Sequence, residues 1–85
     1  SKKVPQSNKH VYLSNRSAAY LSKGYAESAL KDAVACIEAK PDWGKGYNRK
    51  GAALHFMKRY DEAIKAYEEG LKAAPGDASL VAAVE

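Results

Sequence analysis

HVYLSNRSAAYLSKGYAESALKDAVACIEAKPDW (residues 10–43) runs directly into GKGYNRKGAALHFMKRYDEAIKAYEEGLKAAPGD (residues 44–77), and the two stretches line up position by position. Leu13 and Tyr47, Ser17 and Gly51, Tyr20 and Leu54, Ala29 and Ala63, Cys36 and Gly70, Ile37 and Leu71, and Pro41 and Pro75 each stand 34 residues apart. Large side chains fall opposite large ones, and small opposite small. A fixed internal period of this length marks each stretch as one supersecondary unit that buries its apolar face against a neighbour of the same kind.

Within each unit the apolar residues recur at helical and not at strand spacing, which predicts two helices per unit. Val11, Leu13, Ala18, Tyr20 and Leu21 belong to a first helix that should stop near Gly24, a residue suited to the left-handed conformation that ends helices. A second helix runs from about Ala26, with Ala29, Leu30, Ala33, Val34, Cys36 and Ile37 on one broad face. Pro41 ends it, because the residue before a proline resists the α conformation. Ala29 is expected at the close crossing of the hairpin, where a larger residue would force the helices apart. The second unit reads as Gly44 to Met57, a glycine-free turn near Lys58 and Arg59, Asp61 to Ala73, and Pro75-Gly76. Asp77 is suited to N-cap a further apolar stretch, Ala78 to Val84. The expected fold class is therefore all-α, two helical hairpins followed by the start of a capping helix. Four segments result: residues 1–9, a polar arm with Lys2, Lys3 and Lys9 or the remnant of a preceding repeat; 10–43, the first repeat; 44–77, the second; and 78–85, the start of the cap.

With 85 residues, 46% of them apolar and 28% charged, the chain has room for one small core of modest stability. Fourteen basic against ten acidic residues leave a formal charge of +4, which favours acidic partners but falls short of the charge typical of nucleic-acid binders. No apolar run approaches the roughly 20 residues of a membrane span. The single cysteine, Cys36, cannot form an intramolecular disulfide and suits a reducing compartment, so a cytoplasmic location is expected, with the thiol buried and inert. His10 and His55 lack acidic or cysteine partners at metal-ligand spacing, and neither a phosphate-cradling glycine loop nor a nucleophile elbow occurs. The reading is of a chain that is not an enzyme and needs no cofactor. His10 is expected to be exposed near the start of the chain, and His55, beside Phe56, to touch the groove described next. Most of the six tyrosines are read as packing residues between helices, and Trp43 as packing between adjacent repeats.

The spacing of 34 and the order large, small, aromatic, Ala, aromatic, Ala, Pro resemble the tetratricopeptide repeat over roughly residues 10 to 77. The resemblance implies a right-handed α-solenoid in which the first helix of each hairpin lines a concave groove. Asn15 and Arg49, 34 apart, then occupy equivalent places on neighbouring helices, and Lys45 lies one turn before Arg49 on the same face. Ala52 or Ala53 and then Phe56 continue that face, and Ala18 and Ser22 flank it from the adjoining helix. A cationic, polar end with an apolar continuation suits a peptide carboxylate: arginine offers a planar fork, lysine a point charge and asparagine an amide donor. Cations at this spacing also form plain solvated faces, and a lone asparagine can be a structural amide.

The strings Tyr12-Leu13-Ser14-Asn15-Arg16-Ser17-Ala18-Ala19-Tyr20 and Lys40-Pro41-Asp42-Trp43-Gly44-Lys45-Gly46-Tyr47-Asn48-Arg49 narrow the resemblance to the Hsp-organising, stress-inducible co-chaperones. In that family three tandem repeats form a carboxylate clamp around the C-terminal Glu-Glu-Val-Asp of cytosolic heat-shock chaperones. The resemblance implies that Asn15, Lys45 and Arg49 take clamp positions of the second and third repeats, while two further positions of a first repeat would precede residue 1. The expected partners are C-terminal peptides of cytosolic heat-shock chaperones, bound by an incomplete clamp, with no nucleic acid and no membrane. Alternatives are a truncated or self-associating fragment that forms a homo-oligomer through the exposed face of its first helix, or another clamp-type adaptor.

Overall fold

The computed structural model describes residues 8–84. Five helices follow one another: α1 (Lys9–Ser22), α2 (Ala26–Ala39), α3 (Gly44–Phe56), α4 (Tyr60–Ala73) and α5 (Ala78–Val84). No strand occurs among the described residues. Of the expected arm, residues 1–7 lie outside the described residues, and α1 already begins at Lys9.

The turns inside the two hairpins are the same structure. At the end of α1 the Gly24 amide donates to the Leu21 carbonyl at 2.9 Å and the Tyr25 amide to the Tyr20 carbonyl at 2.9 Å. These are the paired bonds of a Schellman motif, with Gly24 in the left-handed region at φ 86°. The apolar contact that accompanies such motifs is the tilted pair Tyr20–Tyr25, with ring centroids 6.3 Å apart. At the end of α3 the Lys58 amide donates to the His55 carbonyl and the Arg59 amide to the Leu54 carbonyl, both at 2.9 Å. Here Lys58, at φ 63°, takes the left-handed place without being a glycine.

The turns between units repeat as well. Lys40 (φ −150°, ψ 85°) and Ala74 (φ −138°, ψ 77°) are extended ahead of Pro41 and Pro75, as the proline ring requires of its predecessor. The Lys40 amide still closes α2 on the Cys36 carbonyl at 3.0 Å, and the Ala74 amide closes α4 on the Gly70 carbonyl at 2.7 Å. Asp77 caps α5: its carboxylate accepts from the Ser79 amide at 3.0 Å, the Ser79 hydroxyl at 2.7 Å and the Leu80 amide at 3.2 Å.

α1 packs on α2 and α3 on α4, α2 and α3 join the hairpins, and α1 lies beside α3. Small residues set these distances. Ala29, Ala33 and Cys36 on α2 and Ala53 on α3 are fully buried, as are Ala63 and Ala66 on α4 to within 2%. The Ser17 hydroxyl donates to the Ala29 carbonyl at 2.8 Å, so α1 and α2 cross where an alanine was expected. A side chain at Gly51, the equivalent of Ser17 in the second hairpin, would run into the Tyr67 ring.

Several expectations about individual side chains are corrected. Tyr12 and Tyr25 are each 57% exposed and Tyr60 is exposed too, although Tyr25 meets Tyr20 and Tyr60 meets His55 at the turns of their own hairpins. Val11 and Val34 sit at the edges of their apolar faces and remain open to solvent. His10 is half-buried, meeting the Trp43 ring edge-on at 4.7 Å, so these two residues pack α1 against the start of the second hairpin.

Candidate functional site

α1 and α3, the first helices of the two hairpins, contain no aspartate or glutamate, and their charges are Lys9 and Arg16 on α1 and Lys45, Arg49 and Lys50 on α3. The acids are carried by the second helices: Glu27, Asp32 and Glu38 on α2, and Asp61, Glu62, Glu68 and Glu69 on α4. Of these cations Arg49 lines the space between α1 and α3 and Lys45 is exposed one turn before it, whereas Arg16 is paired with Asp32 and Lys50 lines a hollow shared with α2 and α4.

Between α1 and α3 opens a hollow of about 250 Å³, lined by Ser17, Ala18, Leu21 and Ser22 from α1 and by Arg49 and Ala52 from α3. Four of the seven residues expected from sequence, Ala18, Ser22, Arg49 and Ala52, therefore meet at one place. Asn15 and Lys45 are exposed one turn earlier on the same two helix faces and do not line the hollow. Phe56, 54% exposed, lies one turn beyond Ala52 and is likewise outside it. His55 does not touch the hollow; it is exposed and meets Tyr60 edge-on at 5.0 Å across the turn into α4.

Sequence reasoning missed Ser17 and Leu21, which belong to the lining, and Ser14, which belongs to the support behind it. Arg49 Nε donates to Ser14 Oγ at 3.1 Å, tying α3 to α1 through a hydroxyl with 0% exposure. The signal was present in the period, since Arg49 falls one residue past the point 34 residues after Ser14. The Ser79 hydroxyl, then the Leu80 and Ser79 amides and last the charge of Lys45, lower the Asp77 carboxyl from its ordinary value against the opposing effect of burial. Burial pushes the Cys36 thiol up, against the pull of the Arg49 charge, and the thiol donates to the His10 carbonyl at 3.3 Å.

The other arginines are spoken for. Arg16 grips the buried Asp32 carboxylate through Nε at 2.7 Å and Nη2 at 2.9 Å, and its Nη1 donates to the Tyr12 hydroxyl at 2.7 Å. The Asp32 hydrogen bond holds the Arg16 guanidinium above its ordinary value. Arg59 grips Glu62 in the same way, at 2.9 and 2.8 Å. A second hollow of about 270 Å³ is lined from α2, α3 and α4 and mixes Lys50, Arg59 and Lys65 with Glu62 and Glu69, of which Arg59 and Glu62 are paired with each other. Among the described residues no group of three or more His, Cys, Asp or Glu side chains is arranged to hold a metal ion, and no helix is long and apolar enough to cross a membrane.

The tetratricopeptide-repeat family description matches residues 44–77. Together with the five-helix architecture this makes the chain a tetratricopeptide-repeat solenoid. A solved structure of similar shape is the first such domain of Spaghetti (RPAP3) bound to the HSP90 peptide SRMEEVD: TM-score 0.77, 27% identity, covering 88% of this chain and 60% of that one. In sequence the chain is similar to a heat shock protein sti1 homolog of Schizosaccharomyces pombe, 58% identical over 85% of this chain and 12% of the relative. It is also 53% identical to Hsp70-Hsp90 organizing protein 3 of Arabidopsis thaliana, over 73% of this chain and 11% of the relative. The chain thus spans about an eighth of the length of these curated relatives.

Proposed function

We propose that the α1–α3 groove binds the acidic C-terminal peptide of a heat-shock chaperone, of the Glu-Glu-Val-Asp type, and that the chain serves as a cytoplasmic co-chaperone adaptor and not as a catalyst. The observation that carries this reading is the absence of any acid from the two helices that form the groove, with Arg49 in the wall of its hollow. Arg49, Lys45 and Asn15 are the carboxylate contacts; Ala18, Ser22, Ala52 and Phe56 receive the side chains upstream of it. A charge-assisted arginine–carboxylate pair on such a surface gives direction as well as affinity. The peptide carried by the RPAP3 domain and the name of the Arabidopsis relative support the choice of ligand.

The test is a calorimetric titration of the chain with free-acid SRMEEVD and with its C-terminally amidated twin. Binding of the acid, lost on amidation and weakened by Arg49→Ala, is expected; equal affinity for the two peptides would refute the reading. A second reading, self-association through the outer face of α1, is favoured by the exposure of Val11 and Tyr12 on that helix. It predicts a concentration-dependent mass in sedimentation that Tyr12→Glu abolishes.

A further inference from the structure

We infer that Ser14 is the positioning residue for the Arg49 guanidinium and that it fixes the direction from which a carboxylate can enter the groove. The inference rests on the reading of the α1–α3 groove as a carboxylate site. Ser14 contacts no ligand in this reading; it acts through Arg49.

The three arginines of the sequence show what is unusual. Arg16 and Arg59 both use the Nε–Nη2 edge, side-on, to grip a carboxylate of their own chain, Asp32 and Glu62 respectively. Arg49 spends its Nε on a neutral hydroxyl instead, and its terminal nitrogens make no hydrogen bond among the described residues. A guanidinium tied at Nε can no longer receive a carboxylate along its Nε–Nη2 edge. What it offers is the end-on fork of Nη1 and Nη2, with the plane of that fork set by the Ser14 bond. Ser14 is well suited to hold it: the residue is fully buried, it projects from the helix that forms the opposite wall, and solvent does not compete for its oxygen. A lysine at position 49 would keep the charge and lose the tie, because it has no Nε–H in mid-chain to give.

This leads to a double-mutant cycle on the whole chain, with Ser14→Ala, Arg49→Lys and the pair, titrated with free-acid and amidated SRMEEVD. Far-UV circular dichroism and melting of each variant report folding. Ser14→Ala is expected to weaken free-acid binding by about three- to tenfold beside Arg49, the worth of one hydrogen bond, and by less than about twofold beside Lys at position 49. An equal loss in both backgrounds would assign Ser14 to the fold and overturn the proposal. So would the absence of any loss from Ser14→Ala where Arg49→Lys alone causes one. If amidation leaves wild-type affinity unchanged, the groove reading itself fails. The Nε–Hε resonance of Arg49 then decides the positioning independently: a shift and faster solvent exchange in Ser14→Ala uphold it, and an unmoved resonance overturns it.

Discussion

Gly24 and Lys58 occupy the same turn 34 residues apart, in the same left-handed conformation and with the same pair of backbone hydrogen bonds. Replacing Lys58 by glycine therefore installs in the second hairpin what the first already has. A side chain in the left-handed helical region costs about 1–2 kcal/mol through the clash of Cβ with the following carbonyl. Glycine gives back roughly 0.5–1 kcal/mol of that in the extra freedom of the unfolded chain. The Lys58 side chain is exposed and forms no salt bridge among the described residues, so little else is lost. Lys58→Gly should stabilise by roughly 0.5–1 kcal/mol, which for a domain of this size raises Tm by about 2–8 °C. The converse, Gly24→Ala, isolates the backbone term, because a Cβ at Gly24 would have no atom within 4 Å. It should destabilise by about 1 kcal/mol. Thermal and urea unfolding followed by far-UV circular dichroism measure both. A neutral or destabilising Lys58→Gly, or two changes of the same sign, would refute the argument that φ and not packing governs these turns.

Two further outcomes are expected. Gly51→Ala gains helix propensity but drives a methyl into the Tyr67 ring, and should destabilise by about 1–3 kcal/mol, with Tyr67→Leu recovering part of the loss in a denaturant series. Asp77→Ala removes the cap of α5 and should cost about 1 kcal/mol, read as faster hydrogen exchange at Leu80, whereas Asp77→Asn keeps the cap. Because the folded Asp77 carboxyl lies below its ordinary 3.8, held there chiefly by the Ser79 hydroxyl, its contribution is complete above that value and lost as pH falls through the folded one. An acid titration of stability should accordingly lose one carboxylate's share in Asp77→Asn.

The helices and their limits were legible because their determinants are local. Pro41 and Pro75 forbid helix in the residue before them, Gly24 supplies a left-handed residue, and Asp77 supplies a cap, each without reference to the rest of the chain. The left-handed Lys58 could not be read that way: lysine has no preference for that region, and only the equivalence with Gly24 points to it. The tyrosines failed for a related reason. Periodicity says which residues share a helix face, but Tyr25 and Tyr60 stand at the hairpin turns, where their rings meet Tyr20 and His55 and stay open to solvent, and Tyr12 is exposed on α1.

The groove was legible in half. Ala18, Ser22, Arg49 and Ala52 follow from helical spacing applied to two equivalent helices, and they do line one hollow. Asn15, Lys45 and Phe56 follow from the same arithmetic yet extend beyond it, because a face three turns long is longer than the contact it encloses. Arg16 shows why a residue pattern alone cannot name a binding cation. It stands on an acid-free helix one position after Asn15, yet its guanidinium is already occupied by Asp32 from α2. Which arginine remains available is a matter of what the second helices bring to the first. Among the described residues Arg49 has no carboxylate within bonding distance, which leaves its terminal nitrogens without a partner while its Nε is held by Ser14.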